Sequence, residues 1–185
     1  MRLVLFRHGI AVELESAPIR PGESAPLDAD RSLTEHGRRR VNRAAKGLKK
    51  IGIRPQVIAQ SGLRRAAETA LVLAERFQAD SDVPTAEAAE RQRARIVETA
   101  ALHPDAPPHE LFALLAQWRS AECVIAVGHA PHLDRVVALA LGAEGRMVTE
   151  LGKAAAVALE VPTSGRPVGQ LLWLLPPKLL RRLGR

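Results

Sequence analysis

Val4-Leu5-Phe6-Arg7-His8-Gly9 is a continuous apolar run that stops at a cation, an imidazole and a glycine. Continuous rather than alternating apolar residues predict a strand, Arg2 to Phe6, buried on both faces, and such strands belong to sheets covered by helices on each side. In open sheets of this kind ligands bind at the carboxyl ends of the strands, where Arg7 and His8 fall. Gly9 lets the backbone turn there. The arrangement recurs at Glu122-Cys123-Val124-Ile125-Ala126-Val127, the clearest buried strand in the chain, which ends in Gly128-His129-Ala130-Pro131. A helix follows through Leu133, Val136, Val137 and Ala140, and Pro131 suits its start, where free backbone N–H groups can face an anion.

Between these two stretches the pattern alternates. Ser32-Leu33-Thr34-Glu35 signals a helix start, and Val41, Ala44, Ala45, Leu48 and Ile51 repeat at helical spacing, so a first helix is expected from Glu35 to Lys50. Its cations, among them Arg38, Arg39, Arg40 and Arg43, fall mainly off the apolar stripe and read as a solvated face. Pro55 to Gln60 reads as a second strand. Ser61 is the expected N-cap of the next helix, whose stripe is Leu63, Ala66, Ala67, Ala70, Ala74 and Phe77. Arg64 and Arg65 then sit in the first turn, where a cation opposes the helix dipole unless an anion is meant to lie there. The charged, alanine-rich stretch 80–93 has no clear assignment. Arg95 to Thr99 reads as a third strand, Leu102 to Pro108 as a loop, and Pro107 or Pro108 as the start of a helix bearing Leu111, Leu114, Leu115 and Trp118. Ala154 to Val161 and Val168 to Leu175 read as an antiparallel pair at a sheet edge. The basic, amphipathic tail from Pro176 is expected to pack across the sheet or fray. The proline-bearing segment from Ile10 to Arg31 has no periodicity and reads as a rim, a lid or a mobile insertion.

Composition sets the outer bounds. A chain of 185 residues suffices for one substantial core, and a single domain over 1–185 is expected. The one cysteine, Cys123, rules out an intramolecular disulfide and reads as core. No apolar run suits a signal segment or a bilayer span, so a cytoplasmic location is the expectation. The formal charge of +7 suits an anionic ligand, but 3% aromatics and no Tyr leave little for stacking on nucleic acid. Neither a nucleic-acid nor a membrane partner is expected, and the oligomeric state is not readable.

Strand ends therefore gather Arg7-His8, Ser61 to Arg65 and Gly128-His129 in a mostly parallel sheet with helices on both faces. Two arginines, two histidines and two helix starts, with no carboxylate obvious nearby, describe a pocket for a multiply charged oxyanion, and phosphate fits best. His129 and His132, at i and i+3, could ligate a metal but lack a third ligand. No metal or other cofactor is expected.

At these residues the chain resembles the histidine phosphatase superfamily, with its Arg-His-Gly signature, and within it the SixA-type phosphohistidine phosphatases. The resemblance rests on Arg7-His8-Gly9, Arg31-Ser32-Leu33-Thr34, Ser61 to Thr69 and Gly128-His129-Ala130-Pro131, with Leu151-Gly152-Lys153 and the Trp173 to Leu179 ending also similar. It implies a phosphoglycerate mutase-like α/β fold, a three-layer α/β/α sandwich whose central sheet is mostly parallel with an antiparallel edge. It implies that His8 is the nucleophile, that Arg7, Arg65 and His129 hold the phosphate, and that Gly9, Ser61, Gly128 and Ala130 line the substrate. Spacing within the Ser61 motif selects Arg65 over Arg64. The implied substrate is a phosphohistidine in a protein, such as a phosphotransfer domain in signal transduction. Many superfamily members carry an acid for the leaving group. Here the corresponding segment reads Ala100-Ala101-Leu102-His103, with Glu98 the one candidate. Without an acid, the nitrogen of phosphohistidine would leave more readily than an alkyl ester oxygen. The alternatives are a phosphomonoesterase for small metabolites and a non-catalytic phosphate-binding or partner-binding module.

Overall fold

The computed structural model describes residues 1–78 and 94–185. The unassigned stretch 80–93 lies outside the described residues. Among the described residues the sheet has six strands, β1 (Arg2–Arg7), β2 (Val57–Gln60), β3 (Arg95–Glu98), β4 (Cys123–Gly128), β5 (Ala156–Glu160) and β6 (Gln170–Leu175), in the order β3-β2-β4-β1-β5-β6. Among the described residues the α-helices are α1 (Glu35–Lys50), α2 (Arg64–Gln78), α3 (Pro108–Leu115), α4 (His132–Ala140) and α5 (Pro177–Leu183).

The continuous apolar strands lie where their composition sends them. Leu3, Val4, Leu5 and Phe6 of β1 and Val124 to Val127 of β4 are all fully buried, and the two strands pair in parallel at the centre. Successive side chains of each strand then feed opposite cores. Val4, Phe6, Ile125 and Val127 pack on one face with Val41, Leu48, Ala70, Leu73 and Leu180, from α1, α2 and α5. Leu3, Leu5, Val124 and Ala126 pack on the other with Leu111, Leu115, Leu133 and Val137, from α3 and α4. This is the three-layer α/β/α sandwich with a mixed, mostly parallel sheet. Burial pushes the Cys123 thiol up to about 11, consistent with a core residue rather than a nucleophile.

The expected antiparallel pair stands at one edge, where β5 pairs antiparallel with β6 and, on its other side, with β1. One expectation is corrected: the tail lies on α1 rather than across the sheet. Its helix presses so closely that Gly47 meets the Leu180 backbone and Gly184 meets the Arg43 carbonyl, approaches that any Cβ would prevent. Among the described residues, no helix is long and apolar enough to cross a membrane.

Parallel registers align the strand ends that carry the candidate site. Arg7 pairs with Gly128, Gln60 with Val127, and Gln60 with Glu98. One row across the sheet therefore runs from Glu98 through Gln60 and Val127 to Phe6; Ser61, Gly128 and Arg7 follow directly after it, and His8 and His129 come one residue further on.

The segment 10–31 is held at both ends. Ala11 bridges Leu33, Val12 N–H donates to the Ser32 carbonyl at 2.9 Å, and Thr34 N–H to the Ile10 carbonyl at 2.9 Å. Thr34 also caps α1, its Oγ1 accepting from Gly37 N–H at 2.9 Å, as the sequence signal implies. Gly37 lets the first turn of α1 lie against this crossing, since a Cβ there would run into the Ile10 carbonyl, which is backbone and cannot step aside. Gly37→Ala is therefore expected to cost about 1–3 kcal/mol despite the better helix propensity of alanine. Chemical denaturation would detect it, and a midpoint equal to wild type would contradict the packing described.

Candidate active site

His8 follows β1 and is 6% exposed. Its main-chain N–H donates to the Gly128 carbonyl at 3.0 Å, which pins it to the end of β4. On the ring, Nδ1 lies 2.7 Å from the Gly9 carbonyl. A carbonyl can only accept, so Nδ1 carries the proton and Nε2 keeps its lone pair. Burial, together with Arg65, Arg7 and Lys153, pushes the His8 pKa down to about 3 against the opposing Gly9 hydrogen bond. The imidazole is thus neutral at physiological pH, with a fixed tautomer.

His129 faces it, the ring centroids 4.9 Å apart. Its Nε2 shares a 2.7 Å hydrogen bond with Ser61 Oγ. Burial first, then His8, Arg65 and His103, lower its pKa to about 3, with Asp28 acting the other way. Ser61 is therefore not the N-cap of α2. Gly62, at φ +82°, turns the chain so that α2 begins three residues after Ser61, and the Leu63 carbonyl accepts the first amides of that helix.

Two guanidinium groups complete the cluster. Arg7 donates through Nη1 to the Leu151 carbonyl at 2.6 Å. Asp134 Oδ1 accepts from Leu151 N–H at 2.9 Å and from Thr149 at 2.8 Å, so this buried carboxylate holds the turn that holds Arg7. Burial lowers the Arg7 pKa, with Asp134 and Glu150 opposing, and the group remains a cation. Arg64 and Arg65 part company. Arg64 points outward to Glu68 at 3.0 Å, whereas the side chain of Arg65 is only 7% exposed. Arg65 contacts the Asp28 carbonyl and carboxylate, both at 2.8 Å, so a carboxylate does stand beside the cluster, contrary to the sequence reading. It comes from the 10–31 segment, whose path periodicity could not trace. Arg7 Nε and His129 Nδ1 are buried and find no hydrogen-bond partner among the described residues. Such atoms usually serve a ligand or store a cost.

The remaining candidates divide. Gly9 donates its N–H to Thr69 Oγ1 at 3.1 Å and offers its carbonyl to His8, so its backbone serves His8 instead of a substrate. A Cβ on it would lie 2.7 Å from Val41 Cγ2. Gly128 packs beneath Leu133 and offers its carbonyl to His8, and half-buried Ala130 forms the turn into α4. Gly62 N–H is taken by the Gln60 side chain, so the start of α2 does not present that amide to an anion. Glu98 is exposed at the end of β3, its Oε2 3.3 Å from Gln60 Nε2 and its carboxyl lying over Gly62. His132 is fully buried with neither ring nitrogen hydrogen-bonded, and no group of three or more potential ligands gathers around a metal position among the described residues. Thr69, Asp28 and Asp134 escaped the sequence reading. Only their polarity inside apolar or irregular stretches could have flagged them.

A family model described as the histidine phosphatase superfamily (branch 1) matches residues 3–166. Among solved structures, the protein histidine phosphatase SixA complexed with tungstate is similar at 19% identity and a TM-score of 0.74, over 96% of this chain and 98% of that one. An alpha-ribazole phosphatase from Shigella flexneri is similar at 16% identity and a TM-score of 0.63, over 96% and 97%. A mycobacterial glucosyl-3-phosphoglycerate phosphatase with inorganic phosphate is similar at 19% identity and 0.64, over 96% and 98%. These structures share the fold and bear the names of different substrates. No curated protein sequence matches the chain.

Proposed function

Because the chain belongs to the histidine phosphatase superfamily (branch 1), we propose that it hydrolyses phosphate monoesters through a phosphohistidine formed on His8. The observation that carries this reading is the His8 tautomer: Nδ1–H spent on the Gly9 carbonyl, and Nε2 left with its lone pair beside Arg7, Arg65 and His129. Nε2 attacks phosphorus as the bond to the leaving oxygen breaks, and that oxygen takes the electron pair and a proton. Water then attacks the phosphohistidine, the N–P bond breaks, and inorganic phosphate and neutral His8 are released. Phosphoryl transfer asks mainly for positioning and for positive charge around the equatorial oxygens, and the two guanidinium groups supply that charge. Metal is not required by this scheme.

Glu98 is the candidate proton donor, because the strand register pairs it with Gln60, one residue before Ser61, at the same rim of the sheet. Its presence favours ester substrates, whose oxygen leaves poorly unprotonated. A second reading, the phosphohistidine of a protein such as a phosphotransfer domain, is favoured by the similarity of Arg31 to Thr34 and Ser61 to Thr69 to SixA-type enzymes. A phosphoramidate nitrogen needs less help to leave, so the two readings separate on one variant. With chelator present, Glu98→Gln is expected to slow hydrolysis of an alkyl phosphate by about 100-fold. A phosphohistidine protein would be turned over nearly as before. Wild-type protein that leaves both substrates intact would refute the phosphatase reading, and equal turnover of the ester by the variant would remove Glu98 from it.

A further inference from the structure

Arg65 poses a physical problem that its own helix does not solve. Its side chain is almost fully buried in the first turn of α2, where the helix dipole disfavours a cation. A buried guanidinium needs a fixed partner, and one residue of the 10–31 segment provides two contacts to it. Nη1 donates to the Asp28 main-chain carbonyl and Nη2 to Asp28 Oδ2, each at 2.8 Å. Asp28 is itself held, its Oδ1 accepting from Arg31 Nη1 at 3.0 Å, while Arg31 Nε donates to the Val12 carbonyl at 2.7 Å.

We propose that Asp28 is a positioning residue for the phosphate clamp, gripping the Arg65 guanidinium from the 10–31 segment and fixing its plane relative to His8. This rests on the phosphatase reading above. A guanidinium is a rigid planar fork with five N–H donors. Anchoring two nitrogens on one residue sets the plane and leaves three N–H groups for a phosphate, so Asp28 supports the clamp without blocking it. The main chain of Arg65 is referenced to the same place, because Thr69 Oγ1 donates to the Arg65 carbonyl at 2.6 Å and accepts from Gly9 N–H at 3.1 Å. Both ends of Arg65 are thereby tied to the backbone that leaves β1 with His8, one through Thr69 and Gly9, the other through Asp28, Arg31 and Val12. Burial alone would raise the Asp28 carboxyl, yet hydrogen bonds and charge from Arg31 and Arg65 bring it below its ordinary value. Asp28 is a fixed anion, a role distinct from that of a proton donor.

The test is steady-state kinetics on an aryl phosphate ester with Asp28→Asn, which keeps the main-chain carbonyl and the side-chain shape. Misaligning a clamp by a fraction of an ångström weakens the transition state more than the ground state. We expect kcat to fall about tenfold with KM within about threefold of wild type. Asp30→Asn breaks the neighbouring Arg20 pair in the same turn, and it is expected to leave kcat unchanged. In an Arg65→Lys background, which has no planar fork to align, Asp28→Asn is expected to add no further loss. An unchanged or increased kcat in Asp28→Asn overturns the proposal, as does an equal loss in both backgrounds or a matching loss in Asp30→Asn. Arg65→Ala separates the two layers. Full turnover by that variant overturns the clamp itself, whereas its loss alongside an unaffected Asp28→Asn overturns only the role of Asp28.

Discussion

His8→Ala is expected to lower turnover of an aryl phosphate ester by on the order of 10⁴-fold or more, the scale on which removing a covalent nucleophile acts. His8 and His129 are both buried, neutral and 4.9 Å apart, but only His8 has its proton assigned away from the reacting side. The Gly9 carbonyl takes Nδ1–H, and Gly9 is fixed in turn by Thr69. His129 shares Nε2 with Ser61. His129→Ala should therefore leave slower but measurable chemistry, because Arg7, Arg65 and the nucleophile survive. Rapid quench with radiolabelled ester is the second readout: wild type should carry acid-labile label on His8, and His8→Ala none. Label on His129, or a His8→Ala enzyme within tenfold of wild type, would end the assignment of His8 as nucleophile.

What the sequence made legible follows from the range of the forces involved. The buried strands β1 and β4 could be read because burial on both faces forces apolar side chains at successive positions. α1 could be bounded because Thr34 and its apolar stripe act within a few residues. The site histidines were legible only as the residues that end those strands. Long-range pairing was not. Asp28 reaches Arg65 across 37 positions and Asp134 reaches Leu151 across 17, and no periodicity encodes such contacts. Ser61 misled because its local sequence suits an N-cap, while the φ of Gly62 and the nearness of His129 give its hydroxyl another partner. The short edge β3 carries Arg95 and Glu98 in solvent, so its apolar signal was weak, yet its register is what brings Glu98 to the rim.

The same buried imidazoles make the fold sensitive to acid, and thermal melts at pH 7 and pH 5 should differ by about 15 °C. His8 and His129 are held at about 3 and His132 at about 4, in each case by burial first. Arg65, Arg7 and Lys153 add to this at His8, Arg65 and His103 at His129, and Arg135 and His103 at His132. An unfolded histidine titrates near 6.5, so between that value and the folded ones the unfolded chain binds more protons than the native one. Stability is accordingly full above about pH 6.5, falls as pH drops, and stops falling below the folded values. At pH 5 each of the three favours the unfolded chain by about 2 kcal/mol, about 6 kcal/mol together. That rivals the whole stability of many domains, and at about 2–4 °C per kcal/mol it gives the shift stated. His132 isolates the cause. It is fully buried, neither nitrogen is hydrogen-bonded among the described residues, and it stands outside the proposed chemistry. His132→Leu should shrink the difference between the two melts by about a third while leaving kcat near wild type. Equal melting temperatures at pH 7 and pH 5, or a His132→Leu protein with the same acid sensitivity, would show that these histidines are not held neutral by the fold.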